Sequence, residues 1–66
     1  MRVISSNIYD IDHDEKTLVL KVTFNNGSVY NYYDVPKEVA DEFANAPSKG
    51  MYLRAVIKDA YRYEKV

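Results

Sequence analysis

The chain has 66 residues, a formal net charge of −1 and no cysteine. That length allows one domain with one thin core, since so short a chain buries only about 60% of the surface its unfolded form exposes. The absence of cysteine excludes disulfides, thiolate metal sites and a cysteine nucleophile.

The remaining bulk properties point the same way. Apolar residues make up 47% of the sequence and charged residues 29%, the balance of a globular domain. Seven tyrosines against two phenylalanines and no tryptophan predict rings whose hydroxyls reach partners or water. No apolar run approaches the roughly 18 residues that span a bilayer. The start, Met1-Arg2-Val3-Ile4-Ser5-Ser6, has no signal-peptide pattern. A domain of this size without disulfide staples favours a reducing compartment or a self-sufficient core, and a cytoplasmic setting is expected.

In chain order, Val3 to Ile11 reads as a first strand. Its inward face is open between Ile4 with Ile8 and Tyr9 with Ile11. The acidic run Asp12-His13-Asp14-Glu15-Lys16 reads as a solvated turn. Asp10, Asp12 and Asp14 have the odd-position carboxylates of a calcium loop. An EF-hand, however, needs Gly after them and Glu at the twelfth position, and Glu15 and Lys21 stand there. His13, the single histidine, reads as an exposed turn residue rather than a ligand or base.

Leu18-Val19-Leu20-Lys21-Val22-Thr23-Phe24 alternates with period two and predicts a half-buried strand, with Leu18, Leu20, Val22 and Phe24 inward. Asn25-Asn26-Gly27 is a hairpin turn, and Ser28 to Tyr33 returns. A two-residue loop would pair Phe24 with Val29 and bury Asn31. A three-residue loop pairs Phe24 with Ser28 and sets Tyr30 and Tyr32 against Val22 and Leu20. Burying Asn31 unpartnered would cost roughly 1–3 kcal/mol, which favours the three-residue loop.

Asp34-Val35-Pro36 starts a helix with Pro36 at its first position, a stripe of Val35, Val39 and Phe43, and an end at Asn45-Ala46-Pro47. Ser48 caps a second helix to about Asp59, striped by Leu53, Val56, Ile57 and Ala60. Tyr61 to Val66 alternates and reads as a last, short strand. The expected architecture over residues 1–66 is α+β: a three-stranded antiparallel meander, two helices on one face and a short C-terminal strand. Leu18, Leu20, Val22, Phe24, Tyr30, Tyr32, Val39, Phe43, Leu53, Val56 and Ile57 form the expected core.

Chemistry has little to work with. There is no GxSxG, Gly-rich phosphate loop or HExxH, and Ser5-Ser6 has no base partner in sequence. No catalytic residue, metal ligand or cofactor site is predicted; a binding module is expected. Charge is uneven. Met1 to Ala46 carries four basic and eight acidic residues, and Pro47 to Val66 carries five basic and two acidic. Lys49, Arg54, Lys58 and Arg62, interleaved with Tyr52, Tyr61 and Tyr63, are therefore the candidate binding residues. Cations contact phosphates, and rings stack on unpaired bases. The plainer reading makes these cations the solvated face of an amphipathic helix and the tyrosines core. On the residues alone it has slightly the better claim.

The ordered set Leu20-x-Val22-x-Phe24, Gly27, Tyr30-Asn31-Tyr32, Asp34-Val35-Pro36, Ala46-x-Ser48-Lys49-Gly50-x-Tyr52, Ile57 and Tyr61-x-Tyr63 resembles the KTSC domain over about Ser5 to Val66. That domain is found at the C-terminus of some lysyl-tRNA synthetases and as small stand-alone bacterial proteins. The resemblance implies RNA as a partner, and the reading of the residues offers Lys49, Tyr52, Arg54, Lys58 and Arg62 to meet it. The alternative is a protein-interaction or accessory module, with another protein or, as a homodimer, itself as partner and no nucleic-acid role. Neither reading involves a membrane or a small-molecule cofactor.

Overall fold

A computed structural model describes residues 7–66. Four strands, β1 (Ile8–Asp14), β2 (Val19–Phe24), β3 (Val29–Tyr32) and β4 (Tyr63–Lys65), form one open antiparallel sheet in the order β1-β2-β3-β4. Helix α1 (Lys37–Asn45), helix α2 (Lys49–Tyr52) and a π-helical turn (Leu53–Ile57) that continues α2 lie between β3 and β4. The α+β class and the meander with a terminal strand are as expected, and β4 closes the sheet beside β3. Among the described residues no helix is long and apolar enough to cross a membrane.

The β2–β3 hairpin has the three-residue register. Leu20 faces Tyr32, Val22 faces Tyr30, and the Phe24 N–H donates to the Ser28 carbonyl at 2.8 Å. Gly27 adopts φ +90°, the left-handed conformation such a loop needs and glycine adopts without strain.

Strand β1 departs from expectation. The Val3–Ser6 part of that reading lies outside the described residues, and the strand runs on through His13 to Asp14. The register shifts between Ile8 and Asp10, so Tyr9 is an extra, bulged residue. The bulge lets Ile8 and Ile11, three apart, both face the core, and so draws one residue from each of the two alternatives for the inward face. His13 is not an exposed turn residue. It pairs with Leu20 on the core side, and its Nε2–H donates to the Val35 carbonyl at 2.7 Å. A carbonyl only accepts, so this nitrogen carries the proton. Asp10, Asp12 and Asp14 are spread along an extended strand instead of curling round a shared point. Among the described residues no three His, Asp or Glu side chains converge on a metal position.

The turn therefore begins later than the acidic run suggested. Asp14 Oδ1 accepts from the Lys16 N–H (2.8 Å) and the Thr17 N–H (3.3 Å), and the Leu18 N–H donates to the Asp14 carbonyl (2.7 Å). Leu18 closes this turn at φ 60°, so it is not the inward strand residue expected.

The core lies on one face of the sheet. Ile8, Ile11, Leu20, Val22 and Tyr32 meet Val35, Ala40, Phe43, Leu53 and Ile57 from the helical segment. Phe24, Tyr30 and Val39 are half-buried at its edge. Pro36 caps α1, one residue ahead of the expected helical position, and Ala46 before Pro47 is extended, ending the helix. Ser48 caps α2 by accepting from the Met51 N–H.

The second helix corrects the expected stripe. The Lys58 N–H reaches back five residues to the Leu53 carbonyl at 2.7 Å. Such a turn is wider than an α-helical one, so residues four apart share a face more closely than residues three apart. Leu53 and Ile57 are buried, whereas Val56 is 38% exposed and Ala60 is exposed.

Candidate nucleic-acid interface

The expected site residues divide into those held by the fold and those left to bind. Lys49 Nζ donates to the Ala46 carbonyl at 2.8 Å, supplying a hydrogen-bond donor to the C-cap of α1. Tyr52 stacks on Phe43 with 5.7 Å between ring centroids, and its hydroxyl donates to Glu42 at 2.8 Å. Burial of the ring, then the Glu42 carboxylate, push its pKa up to about 12. Arg62 lies 4.9 Å over the Tyr33 ring, whose hydroxyl donates to Glu64 at 2.6 Å. Strand alternation puts that Arg62–Tyr33 pair on the face of the sheet opposite Tyr32 and Tyr63. Lys49, Tyr52 and Arg62 are thus dispersed, each with a partner of its own.

Arg54 and Lys58 behave differently. Both are exposed, and among the described residues neither has an ion pair or hydrogen bond from its side chain. They stand four apart along the π-turn, on the side away from the core contacts of α1. Together they line an open groove of about 530 Å³. Phe24, Asn26, Ser28 and Tyr30 of the hairpin line it too, with Tyr32, Leu53 and Tyr63 of β4. No carboxylate lines the groove. Two cations without a carboxylate among the residues lining the groove make it attractive to a negative ligand.

The aromatic side is built by strand pairing. Tyr63 pairs with Tyr32, and Tyr30 faces Lys65. The ring of Tyr63 lies 5.8 Å from Tyr30 and 5.5 Å from Tyr32. Phe24 meets Tyr30 edge-on at 5.5 Å. Tyr32 is buried and has its pKa raised, first by burial, then by the neighbouring phenols Tyr30 and Tyr63. Tyr63 is 49% exposed. It offers the ring that a planar ligand can reach.

Gly50 brings the start of α2 against the N-terminal side of the groove. A Cβ there would sit 3.2 Å from Asn7 Oδ1, closer than ordinary packing allows. Reading the sequence by charge named Arg54 and Lys58, with Tyr63 interleaved, and did not name the hairpin residues that line the same groove. Tyr30 read as core, and Asn26 and Ser28 read only as turn residues. The signal for them exists in the three-residue loop register, which sends Tyr30 to the helix side of the sheet.

Comparison with known proteins agrees with this fold over the whole described chain. Residues 4–61 match the model of the KTSC domain. The chain is 38% identical over 61 residues to a lysine–tRNA ligase of Nostoc punctiforme, a match that takes 92% of this chain but only 11% of the ligase. It is 35% identical over 60 residues to a Tsukamurella paurometabola protein, covering 91% of this chain and 90% of that one. The crystal structure of a KTSC domain protein from Yersinia pestis superposes with a TM-score of 0.93 at 33% identity, covering 100% of this chain and 93% of the other. The chain spans about a tenth of the ligase relatives it matches and nearly all of the small ones. With a matching family model, matching relatives and the same tertiary arrangement, this chain belongs to the KTSC domain family.

Proposed function

We propose that this domain is a non-catalytic, cytoplasmic module that binds single-stranded RNA in the groove between the hairpin and the π-turn. The observation that carries this reading is the pairing of two uncommitted cations, Arg54 and Lys58, with the open ring of Tyr63 in a groove without carboxylates. A guanidinium and an ammonium contact phosphate, and a phenol ring stacks on a base whatever its identity. Lysine–tRNA ligases among the relatives carry tRNA in their name, which supports an RNA by association only. Lys49, Tyr52 and Arg62 have no part in this reading, because each is already engaged elsewhere.

Titration of short single-stranded RNAs, followed by backbone NMR shifts at several salt concentrations, tests the reading. Two phosphate contacts on a single strand predict a loss of about 1.4 log units of affinity per tenfold increase in salt. Shifts should cluster at Ser28, Tyr30, Arg54, Lys58 and Tyr63. The double variant Arg54→Glu, Lys58→Glu should abolish binding and leave the fold unchanged, since both side chains are exposed. Binding insensitive to salt and to this charge reversal would refute the groove as the site. An absence of RNA binding combined with a concentration-dependent mass would favour the protein-interaction module instead.

A further inference from the structure

We infer that the groove accepts one unpaired nucleotide and favours bases with an exocyclic oxygen where their counterparts carry an amino group, uracil over cytosine and hypoxanthine or guanine over adenine, through the side-chain NH2 of Asn26. This rests on the RNA-binding reading above and specifies its ligand. One nucleotide follows from the rings. Of the rings lining the groove, Tyr32 is 4% exposed and Phe24 and Tyr30 are half-buried, so Tyr63, at 49%, presents the most open ring for stacking. Base preference follows from the polar lining. Arg54 and Lys58 of the helical segment and Asn26 of the hairpin line the same groove; with the phosphate beside the two cations, a base stacked on Tyr63 is placed with its far edge toward Asn26.

The hydrogen-bonding sense of Asn26 is set by its own turn. The Ser28 N–H donates to Asn26 Oδ1 at 3.0 Å, so the amide group left for a ligand is NH2, a pure donor. Uracil presents an oxygen at the position where cytosine has an amino group. Hypoxanthine and guanine do so where adenine has an amino group. A donor meets the first set and is left facing another donor in the second. Arg54 and Lys58 are donors as well, and no carboxylate lines the groove to accept from an amino group.

Chemically matched oligomers separate this inference from the reading beneath it. Uridine and cytidine hexamers differ at that position and at the adjacent ring nitrogen, which carries a proton in uridine and not in cytidine; inosine and adenosine hexamers differ in the same two places. Fluorescence anisotropy on the whole domain should show uridine over cytidine and inosine over adenosine, each by roughly fivefold. Asn26→Asp keeps an oxygen for the Ser28 N–H and replaces the NH2 donor by an acceptor. It should erase or reverse both preferences, whatever its general effect on affinity. Equal, salt-sensitive binding of all four hexamers would overturn base selection and leave RNA binding standing. Preferences unchanged in a folded Asn26→Asp variant would overturn the role of Asn26. Should that variant not fold, the uridine–cytidine and inosine–adenosine comparisons on the parent decide base selection. Failure of every hexamer to bind would remove the function and this inference together.

Discussion

Asp14 shows how one side chain ends a strand. Its carboxylate accepts two consecutive backbone N–H groups, from Lys16 and then Thr17, and both hold its pKa below the ordinary carboxylate value. A group whose folded pKa is lowered stabilises the fold above its unfolded pKa, near 3.8. That contribution fades as pH falls through the lower, folded value. Asp14→Ala should therefore lower the melting temperature at pH 7. The gap to the parent should narrow as pH drops below about 4, as thermal melts across pH 2 to 7 would show. A gap constant across that range would mean that the ionised carboxylate does not hold the turn. The same bonds explain Leu18: with Asp14 gripping the turn, the chain closes through a left-handed residue, although leucine has no preference for that conformation. Its carbonyl then accepts from the Val35 N–H at 2.9 Å, tying the turn to the segment before α1.

Among the elements, the second helix departs most from its sequence pattern. Leu53, Val56, Ile57 and Ala60 satisfy a 3.6-residue period, and a regular helix would bury all four on one stripe. The π-turn instead buries Leu53 and Ile57 and turns Val56 outward. Ile57→Ala should therefore cost about 2–5 kcal/mol, and Val56→Ala within about 0.5 kcal/mol, by chemical denaturation. Equal losses at the two positions would restore the α-helical stripe. The widening also has a consequence for the groove. It carries Arg54 and Lys58 to the hairpin side while Leu53 and Ile57 stay in the core. Strand β1 uses a comparable device, since its bulge at Tyr9 brings Ile8 and Ile11 to the same face.

At the scale of the molecule, Phe43 joins the layers. It is fully buried, belongs to the cluster that includes both strand and helix residues, and stacks with Tyr52 of α2. Phe43→Ala should cost about 3–5 kcal/mol, a large share of a small domain's stability. A melting temperature within a degree or two of the parent would contradict that central position. The charge asymmetry of the sequence also resolves at this scale. Lys37, from the acidic part, pairs with Asp41 at 3.0 Å and with Glu15 at 3.8 Å, so part of that acidity is matched locally. The basic part is spread over several surfaces, and its only free pair lining the groove is Arg54 with Lys58.

Local pattern carried the hairpin, its register and the helix ends, because each is decided by neighbours in sequence. Gly27 permits the loop, the cost of burying Asn31 selects the register, and Pro47 stops α1. The bulge at Tyr9 and the π-turn at Leu53–Ile57 are single-residue adjustments to packing against distant partners. Neither leaves a periodic trace, so the inward face of β1 and the exposure of Val56 were decided only on folding. The site divides in the same way. Composition pointed to a basic, tyrosine-bearing C-terminal third. The fold separated Arg54 and Lys58 from Lys49 and Arg62, because Lys49 beside a helix end is taken by the Ala46 carbonyl and Arg62 settles over the half-buried Tyr33 ring. Asn26 and Tyr63 stand more than thirty residues apart in sequence, and only the placement of β4 beside β3 puts them on one groove.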